Sequence, residues 1–381
     1  MVPYLRAANV KDGDLDLSDV KSMNFSPTEQ EAFALLPGDV LVTEGSGSLG
    51  AVGASTVWSG ELSGTICFQN TLLRLRPRFD TTDPRFLGWW ARFAFASGMF
   101  ASIATGANIL HISAERVRSM PASLPDLPSQ RRIADFLDRE TARIKQLLAA
   151  MSQQVRLLDT RRHAVIERHL DSPHVRARPL KYLASIVDTE HKTAPSVNGG
   201  GFWIAGTSSV RNGRLVHSEL YETDHRSYLA WTKRKKPVPG DVLLSREAPV
   251  GEAAIYRPDD PLIAIGQRMV LISVNASLLL PRYLLWNILS ERTRKYMFLV
   301  TQGSLHPHLN MRDIGSIPVR WMPLHEQEAI LDRIENDVEG IEMLRSARQR
   351  MLALVGERRQ ALITAALTGQ IDVTVAKGGS P

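Results

Sequence analysis

An internal repeat constrains this chain more than any other feature of its sequence. Pro-Arg-Phe-Leu-Gly-Trp at 84–89 returns as Pro-Arg-Tyr-Leu-Leu-Trp at 281–286, 197 positions later. The same offset holds without a gap for more than eighty residues, matching Ser119-Met-Pro121 with Ser316-Ile-Pro318, Gln130 with Gln327, Ile144 with Ile341, Arg161-Arg162 with Arg358-Arg359, and Leu170 with Leu367. With small gaps upstream, Pro-Gly-Asp-Val-Leu at 37–41 returns at 239–243. A period this long predicts two copies of one folding unit.

Each copy has the same internal order. Short apolar runs separated by turn residues predict β-strands, an apolar helix follows around Trp89 or Trp286, and a long uninterrupted helix ends the copy. The pattern predicts a first domain over 1–128, a long helix over 129–171, a second domain over 172–322, a second long helix over 323–369, and a tail over 370–381.

Apolar residues in the two long helices recur at steps of three and four, the spacing of a coiled-coil seam. The predicted helix-pair core comprises Ile133, Leu137, Ile144, Leu147, Met151, Val155, Leu158, Ile330, Ile334, Ile341, Leu344, Leu352, Val355 and Leu362. Each helix would be ~60 Å long at 1.5 Å per residue, so its stripe needs another long helix to cover it. We therefore expect an α+β protein: two mixed α/β domains separated by a long antiparallel two-helix coiled coil with pseudo-two-fold symmetry. Two surface helices of one globule are the alternative.

Composition narrows the class of protein. The 381 residues carry a formal net charge of +6, which permits an anionic partner, and the single Cys67 cannot close an internal disulfide. The apolar stretch 86–104 has membrane-span length but contains Arg92, so it predicts a buried helix of a globular domain. No signal peptide is apparent, and a cytoplasmic location is expected.

The two helix openings, Leu-Pro-Ser-Gln-Arg-Arg-Ile-Ala-Asp-Phe-Leu at 127–137 and Leu-His-Glu-Gln-Glu-Ala-Ile-Leu-Asp-Arg-Ile at 324–334, resemble those of type I restriction–modification specificity subunits. The helix end at 358–372, the Pro-Gly-Asp-Val-Leu elements and the domain order are also similar to that family, over nearly the whole chain. The resemblance implies a subunit that reads a split DNA sequence, one half-site per domain. It also implies helices that set the spacing and dock two modification subunits.

That resemblance implies no catalysis and no cofactor in this chain. S-adenosylmethionine would belong to the modification subunits, and ATP and Mg²⁺ to restriction subunits that join the full complex. One departure from the repeat concerns the first domain. Copy two opens with a segment at 178–187, and about twenty residues later Phe202 aligns with Pro3. Copy one lacks this segment, so we expect either a truncated or a reduced first domain, with an exposed sheet edge.

Motifs for other chemistry are weak. Gly-Ser-Gly-Ser-Leu-Gly at 45–50 matches a dinucleotide-binding pattern, but its counterpart at 245–251 keeps only the last glycine, which favours turn glycines. His306-Pro-His308 has no third ligand nearby, so no metal site is expected. The sequence has no Walker motif and no Asn-Pro-Pro-aromatic motif of adenine methyltransferases, which disfavours a stand-alone nucleotide enzyme or methyltransferase.

DNA reading requires forked donors and acceptors for bases, and Lys, Arg, Ser or Thr for phosphates. Residues of these types, several of them in aligned loops, are the DNA-binding candidates: Arg6, Asn9, Lys11, Ser46, Ser48, Gln69, Asn70, Asn108, His111, Arg211, Lys233, Arg234, Lys235, Lys236, Arg246, Gln267, Arg268, Ser304, His306 and His308. Arg161-Arg162 and Arg358-Arg359 are assigned to interhelix pairs or partner docking. The rival hypothesis is a degenerate subunit or a coiled-coil assembly scaffold that does not read DNA. The sequence does not predict which bases are read.

Overall fold

The computed structural model describes residues 1–46, 51–106, 110–171, 175–302 and 307–373. It divides the chain into two compact units, Met1–Ser152 with Arg350–Pro381, and Gln153–Gln349. Each unit therefore takes one globular domain and a part of each long helix. This division follows contacts rather than chain order, and it cuts across the five successive segments expected from the sequence.

Unit 1 contains the first globular domain. Its elements are β1 (Val2–Leu5), β2 (Val10–Lys11), β3 (Asp14–Leu15), β4 (Lys21–Met23), α1 (Pro27–Phe33), β5 (Val40–Thr43), β6 (Gly45–Ser46), β7 (Ser55–Val57), β8 (Cys67–Phe68), β9 (Leu72–Leu75), α2 (Pro84–Ala96), α3 (Met99–Ile103), β10 (Leu110–His111) and α4 (Ala114–Arg118), followed by the start of α5 (Leu127–Leu170). The sheets run β4-β1-β8 and β7-β5-β9, with pairs β2-β3 and β6-β10.

Unit 2 contains the second globular domain. Its elements are β11 (Arg176–Pro179), β12 (Ala184–Asp188), β13 (Phe202–Ala205), β14 (Val210–Arg211), β15 (Arg214–Leu215), β16 (Tyr221–Thr223), α6 (His225–Trp231), β17 (Val242–Ser245), β18 (Ala253–Ile255), β19 (Ile263–Ile265), β20 (Met269–Val274), α7 (Pro281–Leu289), α8 (Glu291–Thr301), α9 (Met311–Gly315) and β21 (Pro318–Trp321), followed by α10 (Leu324–Leu367). The sheets run β12-β20-β17-β18 and β16-β13-β19, with pairs β14-β15 and β11-β21.

The repeat is visible in the sheets. In each domain a parallel pair closes one small sheet, β1 with β8 and β13 with β19, and an antiparallel sheet is centred on the strand after Pro-Gly-Asp, β5 or β17. The aspartate of that motif is structural. Asp39 is buried, accepts a hydrogen bond from the backbone amide of Leu36 and pairs with Arg76 at 2.6 Å. The motif therefore closes a turn and orients the strand that follows it.

The two copies differ at one sheet edge. In unit 2, β12 pairs with β20 along five residues. Its counterpart is missing from unit 1, where β9 pairs with β5 alone among the described residues. Among the described residues β9 therefore has a strand neighbour on one side only, and its four residues are buried or half-buried.

The apolar stretch 86–104 forms part of the domain core, as predicted. Asp83 caps α2 by accepting from the amides of Arg85 and Phe86, and Gly98, with φ of 80°, separates α2 from α3. Phe86, Ala91 and Phe100 are buried. The structure contains no helix, within the ranges it describes, with the length and apolar content to cross a membrane.

The long helices pair antiparallel within each unit. In unit 1 the first turns of α5 pack on the last turns of α10, through Leu137 and Ile363. In unit 2 the last turns of α5 join the first turns of α10 in one core, through Ile166 and Ile334. Both helices have 44 residues.

Burial varies among the residues of the predicted helix-pair core, and two of them are exposed. Leu137, Met151, Ile334 and Ile341 are buried, and a further eight are half-buried: Ile133, Ile144, Val155, Leu158, Ile330, Leu352, Val355 and Leu362. Leu147 and Leu344 are instead 48% and 56% exposed. The half-buried Leu148 and Arg345 follow them directly, and one residue rotates the side chain by about 100° around a helix of 3.6 residues per turn. Buried residues that the stripe missed include Ala134, Phe136, Ile166, Leu170, Leu331, Val338, Ile363 and Ala366.

Candidate nucleic-acid interface

Three loops of the second domain meet at one edge. The segment after β17 pairs with the segment before α9, since Glu247 bridges to His308 and the amide of Leu309 donates to the Arg246 carbonyl at 2.9 Å. The Arg246 amide donates to the carbonyl of Arg268, at the start of β20, at 3.0 Å. We call residues 245–247, 267–268 and 307–309 the recognition edge of domain 2.

The first domain builds the same edge. Its β6-β10 pair places His111 opposite Gly45, the repeat counterparts of His308 and Glu247. The Glu44 amide donates to the carbonyl of Thr71, the residue before β9, at 2.9 Å. Residues 44–46, 69–71 and 110–111 form the recognition edge of domain 1. The loops that the sequence alignment paired therefore lie together in each domain.

The exposed side chains of the two edges differ. Asn70 and His111 are exposed in domain 1, and Arg268 and His308 in domain 2, while Gln69 and Gln267 are half-buried at matching positions. Arg268 forms an ion pair with Glu247 at 3.0 Å, with about half of its side chain in solvent. Glu247 was absent from the sequence candidates. The sequence signal that could have identified Glu247 is its alignment with Gly45, in a loop that the repeat places in both copies.

Arg246 lies beneath the edge of domain 2. It is 8% exposed, its Nη1 lies 3.0 and 3.1 Å from the two carboxylate oxygens of Asp188, and its Nε donates to the Leu309 carbonyl at 2.9 Å. Two of the three guanidinium nitrogens are thus engaged within the domain, and they tie three elements together. Through these bonds Arg246 holds the loops in place.

The run of four cations lies beside this edge, and two of its members are engaged by the domain. Lys235 donates to Ser273, which in turn bonds to Asp241 of the Pro-Gly-Asp turn. Arg234 donates to the carbonyls of Asp188 and Thr189 at 3.1 and 3.2 Å. Lys233 and Lys236 are exposed. The run therefore places exposed positive charge next to Arg246 and its partner Asp188.

The remaining candidates occupy other positions. Arg6 is next to the domain 1 edge, since the Leu5 carbonyl accepts from the Gln69 amide and the Ala7 amide donates to Thr71. Asn9 is buried and donates to the Asp16 carbonyl at 2.8 Å and to that of Asp19 at 3.2 Å, and Arg6 pairs with Asp19 at 2.5 Å. Lys11 and Arg211 belong to the β2-β3 and β14-β15 hairpins, whose tips contact the long helices. Ser48, Asn108, Ser304 and His306 lie outside the described residues, as does the side chain of Ser46.

Among the residues that the structure describes, no group of three or more His, Cys, Asp or Glu side chains converges as metal ligands would. Cys67 is buried, and burial raises the pKa of its thiol, which disfavours the thiolate.

The fold and its edges define a duplicated protein that presents two equivalent loop clusters on domains joined by a pair of long helices. The chain is 23% identical over 390 residues to the EcoKI specificity subunit of Escherichia coli K12, covering 97% of this chain and 82% of that one. It is 22% identical over 395 residues to the putative MjaX specificity subunit of Methanocaldococcus jannaschii, covering 97% and 87%.

Structural comparison agrees about the fold. A solved chain of a type I restriction–modification system matches with a TM-score of 0.71 at 16% identity, covering 97% of this chain and 92% of that one. No protein-family model matches the sequence. The chain is thus similar over nearly its whole length to type I restriction–modification specificity subunits.

Proposed function

We propose that this chain reads a bipartite DNA sequence for a type I restriction–modification complex, one half-site per domain, and that it catalyses nothing itself. The observation that carries the proposal is the pair of recognition edges. Both are built from the same three loops, yet Gly45 in one stands where Glu247 stands in the other. A repeated scaffold with different exposed side chains is what two different half-sites require, since bases are read by their edges.

Exposed cations supply the sequence-independent part of binding. Arg268, Lys233 and Lys236 lie at or beside the edge of domain 2, where they would contact phosphates or bases. The pseudo-two-fold repeat would place the two half-sites roughly one helical turn (~34 Å) apart, so that both domains meet the same groove on one face of the duplex.

The long helices offer a surface for modification subunits. Apolar side chains are exposed along the middle of both helices: Leu147, Leu157, Met343, Leu344, Met351 and Leu354. Contiguous apolar groups on a protein surface mark interfaces, and we propose that these residues contribute to one with the modification subunits. Their partners would carry the S-adenosylmethionine chemistry, and restriction subunits with ATP and Mg²⁺ would join the full complex.

The test is co-expression of this chain with the modification subunits of its operon, followed by methylome sequencing. A bipartite methylated site, and binding to that duplex that weakens with salt, are expected. Methylation at a single contiguous site would show that only one domain reads DNA. The unpaired edge of β9 makes domain 1 the one to examine in that case. A complex that assembles and leaves no sequence-specific mark would favour the scaffold function instead.

A further inference from the structure

The β14-β15 hairpin of unit 2 ends in a tip that is held from two sides. Asn212 lies in the left-handed region with φ of 48°, a conformation that asparagine tolerates better than most residues. Its backbone amide donates to Glu252 at 2.7 Å, and Glu252 is ion-paired with Arg294 of α8 at 2.9 Å. Its carbonyl accepts from Arg162 of α5 at 3.4 Å. The tip therefore joins the domain to the long helix.

Arg162 is the group that makes this junction. Its side chain is 3% exposed, and its Nε lies 3.0 Å from a carboxylate oxygen of Glu342 on α10. Its guanidinium also lies over the ring of Trp286 on α7, 5.5 Å from the centroid. Burial lowers the pKa of Arg162, while Glu342 opposes that shift. One buried cation thus touches both long helices, the apolar helix of the domain and the hairpin tip.

The repeat builds a matching junction in unit 1 from different residues. The β2-β3 tip carries Asp12, which lies 3.5 Å from Arg92, and Arg92 stacks on Trp89 at 4.5 Å. The repeat counterpart of Arg162 is Arg359. Burial raises the pKa of Asp12, while Arg92 and Arg359 pull it down. Lys145 of α5 donates to Asp14, beside this tip, at 3.1 Å. A tip-to-helix junction in both copies indicates a function that each domain needs.

The hairpin is connected rigidly to the recognition edge of domain 2. The Gly213 amide, next to the tip, donates to the Ala253 carbonyl of β18 at 3.0 Å. Strand β18 pairs with β17, and β17 runs directly into Arg246. Because a packed sheet moves as one body, the point where the tip meets α5 determines where the edge lies relative to the helix pair.

We propose that Arg162 is a positioning residue, which fixes the tilt of domain 2 on the helix pair and thereby sets the spacer length that the protein accepts. This inference rests on the proposed function. Its rival is a purely structural role, in which Arg162 only completes an ion pair between the two helices. The two roles use different partners of the same guanidinium, Asn212 and Trp286 for positioning and Glu342 for the helix pair, so they can be separated.

The experiment uses the complex of this chain with its modification subunits. The test duplexes carry both half-sites of the sequence that the complex methylates. The spacer between these half-sites is shortened or lengthened by one base pair. Arg162→Ala is expected to reduce the preference for the native spacer by about tenfold, or ~1.4 kcal/mol. The exchange Arg162→Glu with Glu342→Arg restores an ion pair between the helices. It leaves Asn212 without a donor at position 162, so thermal stability should recover while spacer preference stays reduced. Arg156→Ala, at an exposed arginine of the same helix, is the matched control.

Each outcome decides the inference. Relaxed spacer preference in both the single variant and the exchange, with native behaviour of Arg156→Ala, supports positioning. A lower melting temperature with an unchanged spacer profile in Arg162→Ala overturns it, and so does an exchange variant that recovers both properties. If the unaltered complex leaves no bipartite mark, the proposed function fails and the positioning role fails with it.

Discussion

The side chain of Gln327 accepts a hydrogen bond from the backbone amide of Leu280 at 2.9 Å, immediately before α7 begins. The same side chain donates to the carbonyls of Leu278 and Met322. Its repeat counterpart Gln130 accepts from the Asp83 amide and donates to the carbonyls at 81 and 125. In each copy, one buried glutamine side chain therefore links the start of a long helix to the start of the apolar helix in its domain.

Replacing Gln327 should destabilise unit 2. Gln327→Ala leaves one buried backbone donor without its partner and removes two further hydrogen bonds, which should cost about 3 kcal/mol of the free energy of unfolding. Urea titration followed by tryptophan fluorescence measures the loss. Gln154→Ala, at an exposed position of α5, should change stability by less than ~0.5 kcal/mol. Equal stability of the two variants would show that the buried amide is not needed.

Replacing Arg246 should lower the stability of the fold, because this buried side chain holds loops together. Arg246→Ala leaves the Asp188 carboxylate with weaker partners in a largely buried place, and we expect a loss of about 2 kcal/mol. The double variant Arg246→Met with Asp188→Leu should be more stable than Arg246→Ala, because no unpaired charge remains. A double-mutant cycle by urea titration gives the coupling. Native stability of Arg246→Ala together with lost DNA binding would assign it to base reading.

Arg268 should act on DNA and not on the fold. Its side chain is about half exposed at the recognition edge of domain 2, so Arg268→Ala should weaken binding by ~1–3 kcal/mol if it reads a base. The loss should appear at one half-site only, as measured by methylation of duplexes altered in either half. The control is Arg257→Ala, an exposed arginine in the loop between β18 and β19. Equal loss at both half-sites would contradict the assignment.

The length of the long helices should set the spacer. Inserting about four residues (one helical turn) at matching points of α5 and α10 lengthens each helix by ~6 Å. At 3.4 Å per base pair this corresponds to roughly two more base pairs between the half-sites. Methylome sequencing of a host that carries the altered chain gives the new site. An unchanged spacer in a folded variant would be evidence that the length of the helices does not set the distance between the half-sites.

The sequence predicted the architecture because the repeat and the helical stripe are local, periodic signals. The Pro-Gly-Asp turns, the start of α5 near Pro128 and the aligned loops before α4 and α9 are all recognisable without coordinates. The stripe failed at Leu147 and Leu344, where the next residues, Leu148 and Arg345, are the half-buried ones. Leu147 and Leu148 both fit steps of three and four along the apolar stripe, and so do Leu344 and Arg345. Only packing determines which residue of each pair is buried.

Residue types and their order therefore determined the duplication, the long helices and the loops that form each edge. Tertiary structure decided which polar side chains remain available. Arg246 and Asn9 are residue types that can read bases. In the fold both are buried, and their donors bond to other groups of their own domain. Arg162 became a junction only when Asn212, Trp286 and Glu342 met around it. The physical reason is that the availability of a donor depends on which acceptors the fold brings within about 3 Å of it, and sequence spacing carries no such distance.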